Sequence, residues 1–334
     1  MKTILVTGGA GYIGSHTCRL LHAEGFQVIA LDTLEYGHRE ALETRGGNPI
    51  LVQGDIGDEN LLDRLFVEHG FDAVVHFAAY TYVGESVSDP GKYYLNNFSK
   101  PLVLLDAMVK YGCKKFILSS TCATYGNPHY IPLDEDHPQI PLNAYGRSKY
   151  FLEQAVHDYH RAFGLAYVFL RYFNASGAAK DSLIGEDHDP ETHLIPLVLK
   201  NIKGEIPELK VFGDNYPTKD GTCIRDYIHV EDLASAHLKA LKYLNRGEEP
   251  TAFNLGTGNG HSVLEVIRTA EEVTGGKVRF SIAPKREGDA VSLVADPSKA
   301  FQQLDWKAEW TDLEEIIRSA WKWENGPKQG RYKN

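Results

Sequence analysis

The chain has 334 residues, of which 43% are hydrophobic and 24% are charged, and its formal net charge at pH 7 is −10. These values are typical of a globular protein with one large core or two domains, and the acidic balance argues against nucleic-acid binding. The four cysteines show no metal-ligand spacing, and no apolar run is long enough to cross a membrane. Because a core strand is predicted at the very start, we expect no signal peptide. The cysteine pattern predicts free thiols, and together these features predict a cytoplasmic location.

The beginning of the chain predicts a strand, a glycine-rich turn, a helix and a second strand. The apolar, β-branched stretch Lys2–Thr7 predicts a buried strand, residues 15–24 a helix, and Val28–Asp32 the next strand. The turn is Gly8-Gly9-Ala10-Gly11-Tyr12-Ile13-Gly14. Its glycines let backbone N–H groups reach a pyrophosphate at a helix N-terminus, and Asp32 is placed to accept hydrogen bonds from a ribose diol. A plain turn is the alternative, but these features together favour a dinucleotide site.

Strands and helices continue to alternate through the first half of the chain. Further buried strands are predicted over residues 49–56, 73–79, 115–120 and 165–173, and helices over 59–69, 92–111 and 145–163. Continuous apolar strands separated by helices predict a doubly wound, parallel α/β sheet with helices on both faces.

The pattern changes after Asn174, where glycine, proline and charged residues interrupt regular structure over 177–190. Short helices and strands follow, and Phe253–Gly256 is predicted to return to the parallel sheet. We therefore divide the chain into a dinucleotide-binding domain, residues 1–175, and a smaller C-terminal α/β substrate lobe, residues 176–334, with an excursion back to the first sheet.

Tyr145 and Lys149 are the strongest catalytic candidates. Their spacing of four places the phenol and the ammonium on one face of a predicted helix. A tyrosine acts as a base near pH 7 only if its pKa falls by roughly three units, and nearby positive charge can produce that shift. Thr121 directly follows a strand, at the end of a parallel sheet where ligands bind, so its hydroxyl can contact a reacting oxygen. An exposed helical pair and a local turn residue are the structural alternatives.

Several motifs together resemble those of the extended short-chain dehydrogenase/reductases and, within them, the bacterial UDP-glucose 4-epimerases. The resemblance covers nearly the whole chain and implies a Rossmann-type fold. Besides the glycine turn and the Tyr145/Lys149 pair, the motifs are Gly84-Glu85-Ser86, Arg171-Tyr172-Phe173-Asn174, Asp220-Gly221-Thr222, Arg225-Asp226-Tyr227-Ile228-His229-Val230 and Arg286-Glu287-Gly288-Asp289.

The resemblance implies a reaction at C4 of a UDP-sugar. Tyr145 takes the proton of the 4-hydroxyl while NAD⁺ takes the hydride, Thr121 holds the same oxygen, and Lys149 bonds the nicotinamide ribose. A 4-keto intermediate then turns over in the pocket and is reduced on its other face. The implied NAD contacts are Gly8, Gly11, Tyr12, Ile13, Gly14, Asp32, Asp55, Ile56, Phe77, Ala78, Ala79, Asn96, Tyr145, Lys149 and Tyr172. The implied substrate contacts are Thr121, Asn174, Arg225, Arg286, Asp289 and Leu293.

The chain departs from the common family pattern at several positions. Thr121 stands where serine is usual, Thr81 where many relatives have lysine, and Tyr36-Gly37 replaces a polar pair beside the adenosine ribose. His193 stands where an asparagine often touches the nucleotide, so we leave it out of the predicted site. The fourteen histidines suggest no ligand cluster, and we predict no metal.

Other functions on the same fold make different demands on the sequence. A 4,6-dehydratase has an Asp-Glu pair after the strand-end threonine, whereas Cys122-Ala123 follow here. A reductase uses NADPH, whose 2′-phosphate Asp32 would repel. A non-catalytic NAD-binding sensor, or an epimerase acting mainly on UDP-N-acetylglucosamine or UDP-xylose/arabinose, stays open as an alternative.

The resemblance also implies a sugar gate and an assembly. Leu293 falls where a residue of the relatives controls access to the sugar pocket. Relatives with a tyrosine at this position tend to exclude 2-acetamido sugars, and leucine is smaller. The alternative is that Leu293 only fills the core. We expect UDP-glucose and UDP-galactose as the main pair, with slower turnover of UDP-N-acetylglucosamine. The predicted helices over 92–111 and 145–163 imply a homodimer.

Overall fold

The computed structural model describes residues 1–43, 48–286 and 289–332. The strands are β1 Thr3–Thr7, β2 Gln27–Asp32, β3 Ile50–Gln53, β4 Ala73–His76, β5 Lys115–Thr121, β6 Ala166–Tyr172, β7 Asn174–Ser176, β8 Leu209–Phe212, β9 Ile224–His229, β10 Thr251–Leu255, β11 Gly260–Ser262, β12 Phe280–Ala283 and β13 Ser292–Leu293. The α-helices are α1 Tyr12–Ala23, α2 Glu59–His69, α3 Val83–Ser88, α4 Pro90–Tyr94, α5 Lys100–Lys110, α6 Ala144–Phe163, α7 Leu194–Ile202, α8 Val230–Asn245, α9 Val263–Thr274, α10 Ser298–Leu304 and α11 Leu313–Glu324.

The largest sheet is parallel throughout, with the strand order β10-β6-β5-β4-β1-β2-β3 over the described ranges. The predicted doubly wound α/β fold is confirmed. The order reverses between β1 and β4, and this is where an open α/β sheet forms a ligand crevice beyond the carboxyl ends of its strands. Strand β10 comes from the second half of the chain and pairs with β6, from Thr251↔Val168 to Leu255↔Tyr172.

Alternate residues of the central strands build the core on each face of the sheet. Ile4 and Val6 pack in one core cluster with α1 and α8, whereas Leu5, between them, packs in a second cluster with α2, α5 and α6. Successive side chains of a strand point to opposite faces, so a strand covered on both sides is continuously apolar. Helix α8 also comes from the second half of the chain and contacts α1 directly.

The helix predicted over residues 92–111 is present, but a π-helical turn interrupts its α-helical hydrogen-bond pattern. The structure has α4, then a π-helical turn over Leu95–Ser99, then α5, whose first turn contains Pro101. Proline has no N–H to donate to the carbonyl of Asn97, four residues earlier, so the regular hydrogen-bond pattern cannot run through this point. Strands β3 and β4 are also shorter than predicted, ending at Gln53 and His76.

The remaining strands of the described chain form two smaller sheets. Strands β7, β9, β11 and β13 make one sheet, and β8 pairs with β12. Helices α7, α9 and α11 pack around a separate core cluster that includes Leu199, Ile267 and Ile317. Within the described ranges, no helix has both the length and the apolarity needed to cross a bilayer.

Candidate active site

The glycine turn brings β1, α1 and the end of β4 into close contact. Gly8 has φ +68°, and a Cβ there would lie 2.6 Å from Ala78 N; a Cβ on Gly14 would lie 2.1 Å from Gly8 O. Only glycine fits such approaches without a shift. Gly11 is the N-cap of α1 and provides no side chain to its N–H groups. The first-turn N–H groups, including those of Tyr12 and Ile13, are therefore available to an anion.

Asp32 ends β2 beside this turn and is 8% exposed. Its carboxylate accepts hydrogen bonds from Ala10 N and Leu34 N, both at 2.9 Å. Burial raises the pKa of the carboxyl, and these backbone bonds oppose the rise. The carboxylate thus fixes the turn and has further lone pairs for a diol.

Tyr12 connects the turn to the second half of the chain. Its hydroxyl donates to Gly177 O at 2.6 Å, and its ring meets the edge of His188 at a centroid distance of 6.3 Å. Ile13, next to it, packs on the core cluster under α1. Tyr12 therefore holds the loop after β7 against the glycine turn.

The remaining residues predicted to touch the cofactor differ in their surroundings. Phe77, Ala78 and Ala79 follow β4, and the Ala78 N–H donates to Thr7 O at 3.1 Å. Asp55 pairs with Lys100, and its neighbour Ile56 is 5% exposed in the core.

Two more predicted cofactor residues bond to their protein neighbours. Asn96 donates to Asn97 Oδ1 at 3.2 Å. Tyr172, at the end of β6, hydrogen-bonds Ser119 on β5.

Thr121, Tyr145 and Lys149 come together at the carboxyl end of β5. Thr121 lies beside Tyr145, close enough to lower the pKa of its phenol, and the Thr121 hydroxyl oxygen accepts a hydrogen bond from Ala123 N at 3.1 Å. The Lys149 amine is buried and donates to Ser119 O at 2.9 Å. The predicted meeting of a hydroxyl, a phenol and an amine at this edge agrees with the geometry.

Burial controls the protonation of this cluster. Burial raises the pKa of Tyr145 well above its ordinary value, and the nearby Thr121 hydroxyl opposes the rise. It also lowers the pKa of Lys149 to about 7, against the attraction of Glu153. A base role for the phenol thus depends on positive charge brought close to it.

The contacts that hold helix α6 in place were not predicted from the sequence. Asn143 caps the helix by accepting from Gly146 N at 2.9 Å. Glu153 is fully buried and accepts two hydrogen bonds from Arg171, at 3.0 and 2.7 Å, and one from Ser120 Oγ at 2.5 Å. These contacts fix Tyr145 against β5, and an asparagine just before a helix is the signal that could have revealed the cap.

The second sheet collects the residues predicted to bind a nucleotide diphosphate. Leu293 pairs with Arg225, and Asn174 pairs with Tyr227, two residues farther along β9. The Arg225 guanidinium donates to Asp289 Oδ1 at 2.9 Å and is mostly buried. Leu293 also packs on the core cluster that contains Cys122 and Phe173.

Arg286 contacts an aromatic ring that the sequence did not single out. Its guanidinium carbon lies 3.9 Å from the ring centroid of Phe212, at the end of β8. Glu287 and Gly288, which complete the predicted motif with Asp289, lie outside the described residues.

The expectation that the histidines form no ligand cluster is wrong. His188 and His193 lie with Glu186 and Glu191 in the loop before α7, with ligand atoms within 4.8 Å of one another. The two carboxylates are nearly buried and raise the pKa of His188 to about 9 and that of His193 to about 10, against the effect of desolvation. The sequence shows that two histidines and two glutamates lie within eight residues of one another. It does not show that the loop folds so that their side chains meet.

The residues of the cleft fit a bound dinucleotide. Gly8 and Gly14 let the backbone of the turn pack closely on Ala78 and on itself, and the first turn of α1 offers N–H groups to a pyrophosphate. Asp32 has free acceptor capacity on the same side.

The model of the NAD dependent epimerase/dehydratase family matches residues 4–256. A curated relative from Lacticaseibacillus casei, named UDP-glucose 4-epimerase, is 48% identical over 98% of this chain and 98% of its own. The similarity therefore includes both lobes.

Solved structures are similar from end to end. The UDP-glucose 4-epimerase from Bifidobacterium longum in complex with NAD⁺ and UDP has a TM-score of 0.94 and 41% identity, covering 99% of this chain and 100% of that one. The UDP-Glc/GlcNAc 4-epimerase from Campylobacter jejuni has a TM-score of 0.84 and 42% identity, covering 97% and 99%.

Proposed function

The chain belongs to the NAD dependent epimerase/dehydratase family, and from this premise we propose that it inverts the C4 hydroxyl of UDP-glucose and UDP-galactose with NAD as cofactor. The observation that carries the proposal is the meeting of Thr121, Tyr145 and Lys149 at the sheet edge that also holds the glycine turn. A non-catalytic sensor has no use for this group of side chains.

Tyr145 takes the proton from the sugar 4-hydroxyl and later returns it. Thr121, which lies beside the phenol, holds the same sugar oxygen. Bound NAD⁺ supplies the hydride acceptor at C4. Lys149 lies one helical turn from Tyr145 and, with a pKa of about 7, places positive charge behind the phenol in its protonated form.

The glycine turn and Asp32 select the cofactor. The N–H groups of α1 bind the pyrophosphate, and the Asp32 carboxylate bonds the ribose diol and repels a 2′-phosphate. Cofactor released from denatured protein should be NAD, identified by chromatography. NADP as the main species would contradict this role of Asp32.

The second lobe holds the UDP group. Arg225 is kept in place by Asp289, and its guanidinium can bond phosphate oxygens in a fork geometry. Arg286 on the Phe212 ring supplies a second cation. Firm nucleotide contacts and few sugar contacts allow the 4-keto intermediate to turn over without leaving.

We also propose the predicted sugar range. Leu293 lies on β13 beside Arg225 and packs on the core cluster that contains Cys122, and in this proposal these two features border the diphosphate and the sugar. A leucine leaves room that a tyrosine would occupy, so UDP-N-acetylglucosamine is turned over more slowly than the main pair. The Campylobacter relative is described by its name as acting on both sugars.

A product assay tests the function directly. Purified protein is mixed with UDP-galactose without added NAD, and UDP-glucose is measured by chromatography; a parallel panel contains the UDP-N-acetylhexosamines and UDP-pentoses. Product without added NAD supports the epimerase, and no product from any UDP-sugar supports a sensor. A main activity on UDP-xylose or UDP-N-acetylglucosamine would favour the other epimerases.

A homodimer is the proposed assembly. Leu95 and Phe151 are 58% and 42% exposed, and the Phe151 ring lies 6.0 Å from the rings of Tyr94 and Phe98. An exposed apolar patch of this kind is typical of an interface between copies of a chain. Phe151→Glu should convert a dimer to a monomer in light scattering, whereas Phe301→Glu, at an exposed position of α10, should not. A wild-type monomer would contradict the assembly.

The division of labour between the lobes is part of the proposal. Residues 1–175 bind NAD and residues 176–334 bind the UDP-sugar, although α8 and β10 pack with the first part. A cytoplasmic location stays a prediction from the sequence.

A further inference from the structure

The loop between β7 and α7 directs four metal-ligating side chains to one point. His193 Nδ1 lies 2.8 Å from Glu186 Oε1 and 3.0 Å from Glu191 Oε1. His188 Nδ1 lies 3.2 Å from Glu186 Oε1 and 3.8 Å from Glu191 Oε2. We propose that this group, the loop cluster, binds a divalent transition-metal cation, with zinc the best match.

The spacing fits four-coordinate zinc. Zinc bonds of about 2.0–2.1 Å to nitrogen and oxygen in a tetrahedron place neighbouring ligand atoms about 3.3 Å apart. The histidine–carboxylate separations of 2.8–3.8 Å lie on both sides of that value. Magnesium and calcium prefer sites made only of oxygen, so two imidazoles favour zinc.

A second observation points to a ligand at the same place. Glu191 Oε2 is buried and has no hydrogen-bond partner among the described residues. The other oxygen, Oε1, accepts from the backbone N–H groups of Thr192 at 2.7 Å and His193 at 2.8 Å. A buried carboxylate oxygen without a donor is costly, and a cation that displaces the protons of the two imidazoles and lies between the four side chains would compensate it.

The backbone around the cluster is held in advance of metal binding. Trp323 Nε1 donates to Glu186 O at 3.0 Å, and the Tyr82 hydroxyl donates to Pro190 O at 2.9 Å. His188 also faces the ring of Tyr12 beside the glycine turn. A cation here would connect the second lobe to the start of α1 and take no part in the chemistry.

Metal analysis of the untagged, full-length protein tests the site. After incubation with zinc and dialysis against metal-free buffer, we expect about one zinc per chain by mass spectrometry. Cobalt in place of zinc should give the visible bands of four-coordinate Co²⁺. Glu191→Gln keeps the Oε1 acceptor but removes the charge, and it should reduce bound zinc at least tenfold.

Two further variants keep the result decisive. His188→Gln should lose zinc as Glu191→Gln does, and Glu249→Gln, which changes an exposed glutamate elsewhere, should keep it. Wild-type protein without zinc and without cobalt bands would overturn the proposal and leave an ion-paired cluster. Full zinc in both cluster variants would also overturn it. These measurements do not depend on epimerase activity, so they can fail while the proposed function stands.

Discussion

Gly14→Ala tests the glycine turn with one methyl group. The new Cβ would lie 2.1 Å from Gly8 O and 3.0 Å from Gly9 Cα. A carbon–oxygen contact normally starts at about 3.3 Å, so the Gly8 carbonyl must move by about 1 Å. That carbonyl also accepts from Gly11 N at 3.2 Å, so the whole turn changes shape.

We expect Gly14→Ala to lower the free energy of unfolding moderately and to weaken NAD binding strongly. Overpacking of this kind typically costs about 1–3 kcal/mol, which a domain stable by about 5–15 kcal/mol survives. A displacement of about 1 Å in a binding cradle can reduce function about a hundredfold. We therefore expect folded protein with a lower melting temperature and at least tenfold less bound NAD.

The assay is the NAD released from denatured protein, measured against protein concentration. Gly84→Ala is the matched control, because a Cβ there meets no atom within 4 Å and the residue lies in α3. The control should keep its NAD and its melting temperature. Stoichiometric NAD in Gly14→Ala would refute the reasoning that this turn holds the pyrophosphate.

Four further predictions concern the proposed chemistry. Tyr145→Phe should lose at least about a hundredfold in turnover while keeping NAD, because the proton acceptor is gone; turnover within tenfold of wild type would reject the role. Thr121→Val should lose activity and Thr121→Ser should keep it, in the same assay, whereas equal rates would make the hydroxyl structural. Leu293→Tyr should abolish turnover of UDP-N-acetylglucosamine and spare UDP-galactose, and loss of both together would reject the gate. For Lys149, whose folded pKa of about 7 lies below the ordinary 10.5, the unfolded chain binds the extra proton between these values. Burial of Lys149 therefore does not lower the free energy of unfolding above about pH 10.5. The reduction grows as pH falls and is complete below about pH 7. In urea unfolding, wild type should gain about 2–3 kcal/mol over Lys149→Met from pH 7 to 9, and an unchanged difference would contradict the shift.

Local patterns in the sequence were enough to predict most of the parallel sheet and its helices. The helix predicted over residues 59–69 has the same ends in the structure, with Asp58 as its N-cap and Gly70, at φ +60°, as its C-cap. The strand-to-turn passage at Gly8 is also local, because a positive φ and a close approach both require glycine. These features depend on neighbours in the chain, so the sequence alone determines them.

The π-helical turn between α4 and α5 had a signal in the sequence that was not used in predicting one regular helix. Residues 100–110 keep their hydrophobic face toward the core, which supports one long helix from the pattern alone. Pro101 nevertheless removes the donor needed one turn earlier, and a π-helical turn takes its place.

Long-range contacts between side chains could not be determined from the sequence, because no local pattern relates residues that are far apart in the chain. Asp289 reaches Arg225 across 64 residues, and Tyr125 reaches Asn254 across 129. The loop cluster shows the same limit at short range. Glu186, His188, Glu191 and His193 are close in sequence, yet only the path of the folded loop turns their ligand atoms toward one point, since an irregular segment has no period that relates one side chain to the next.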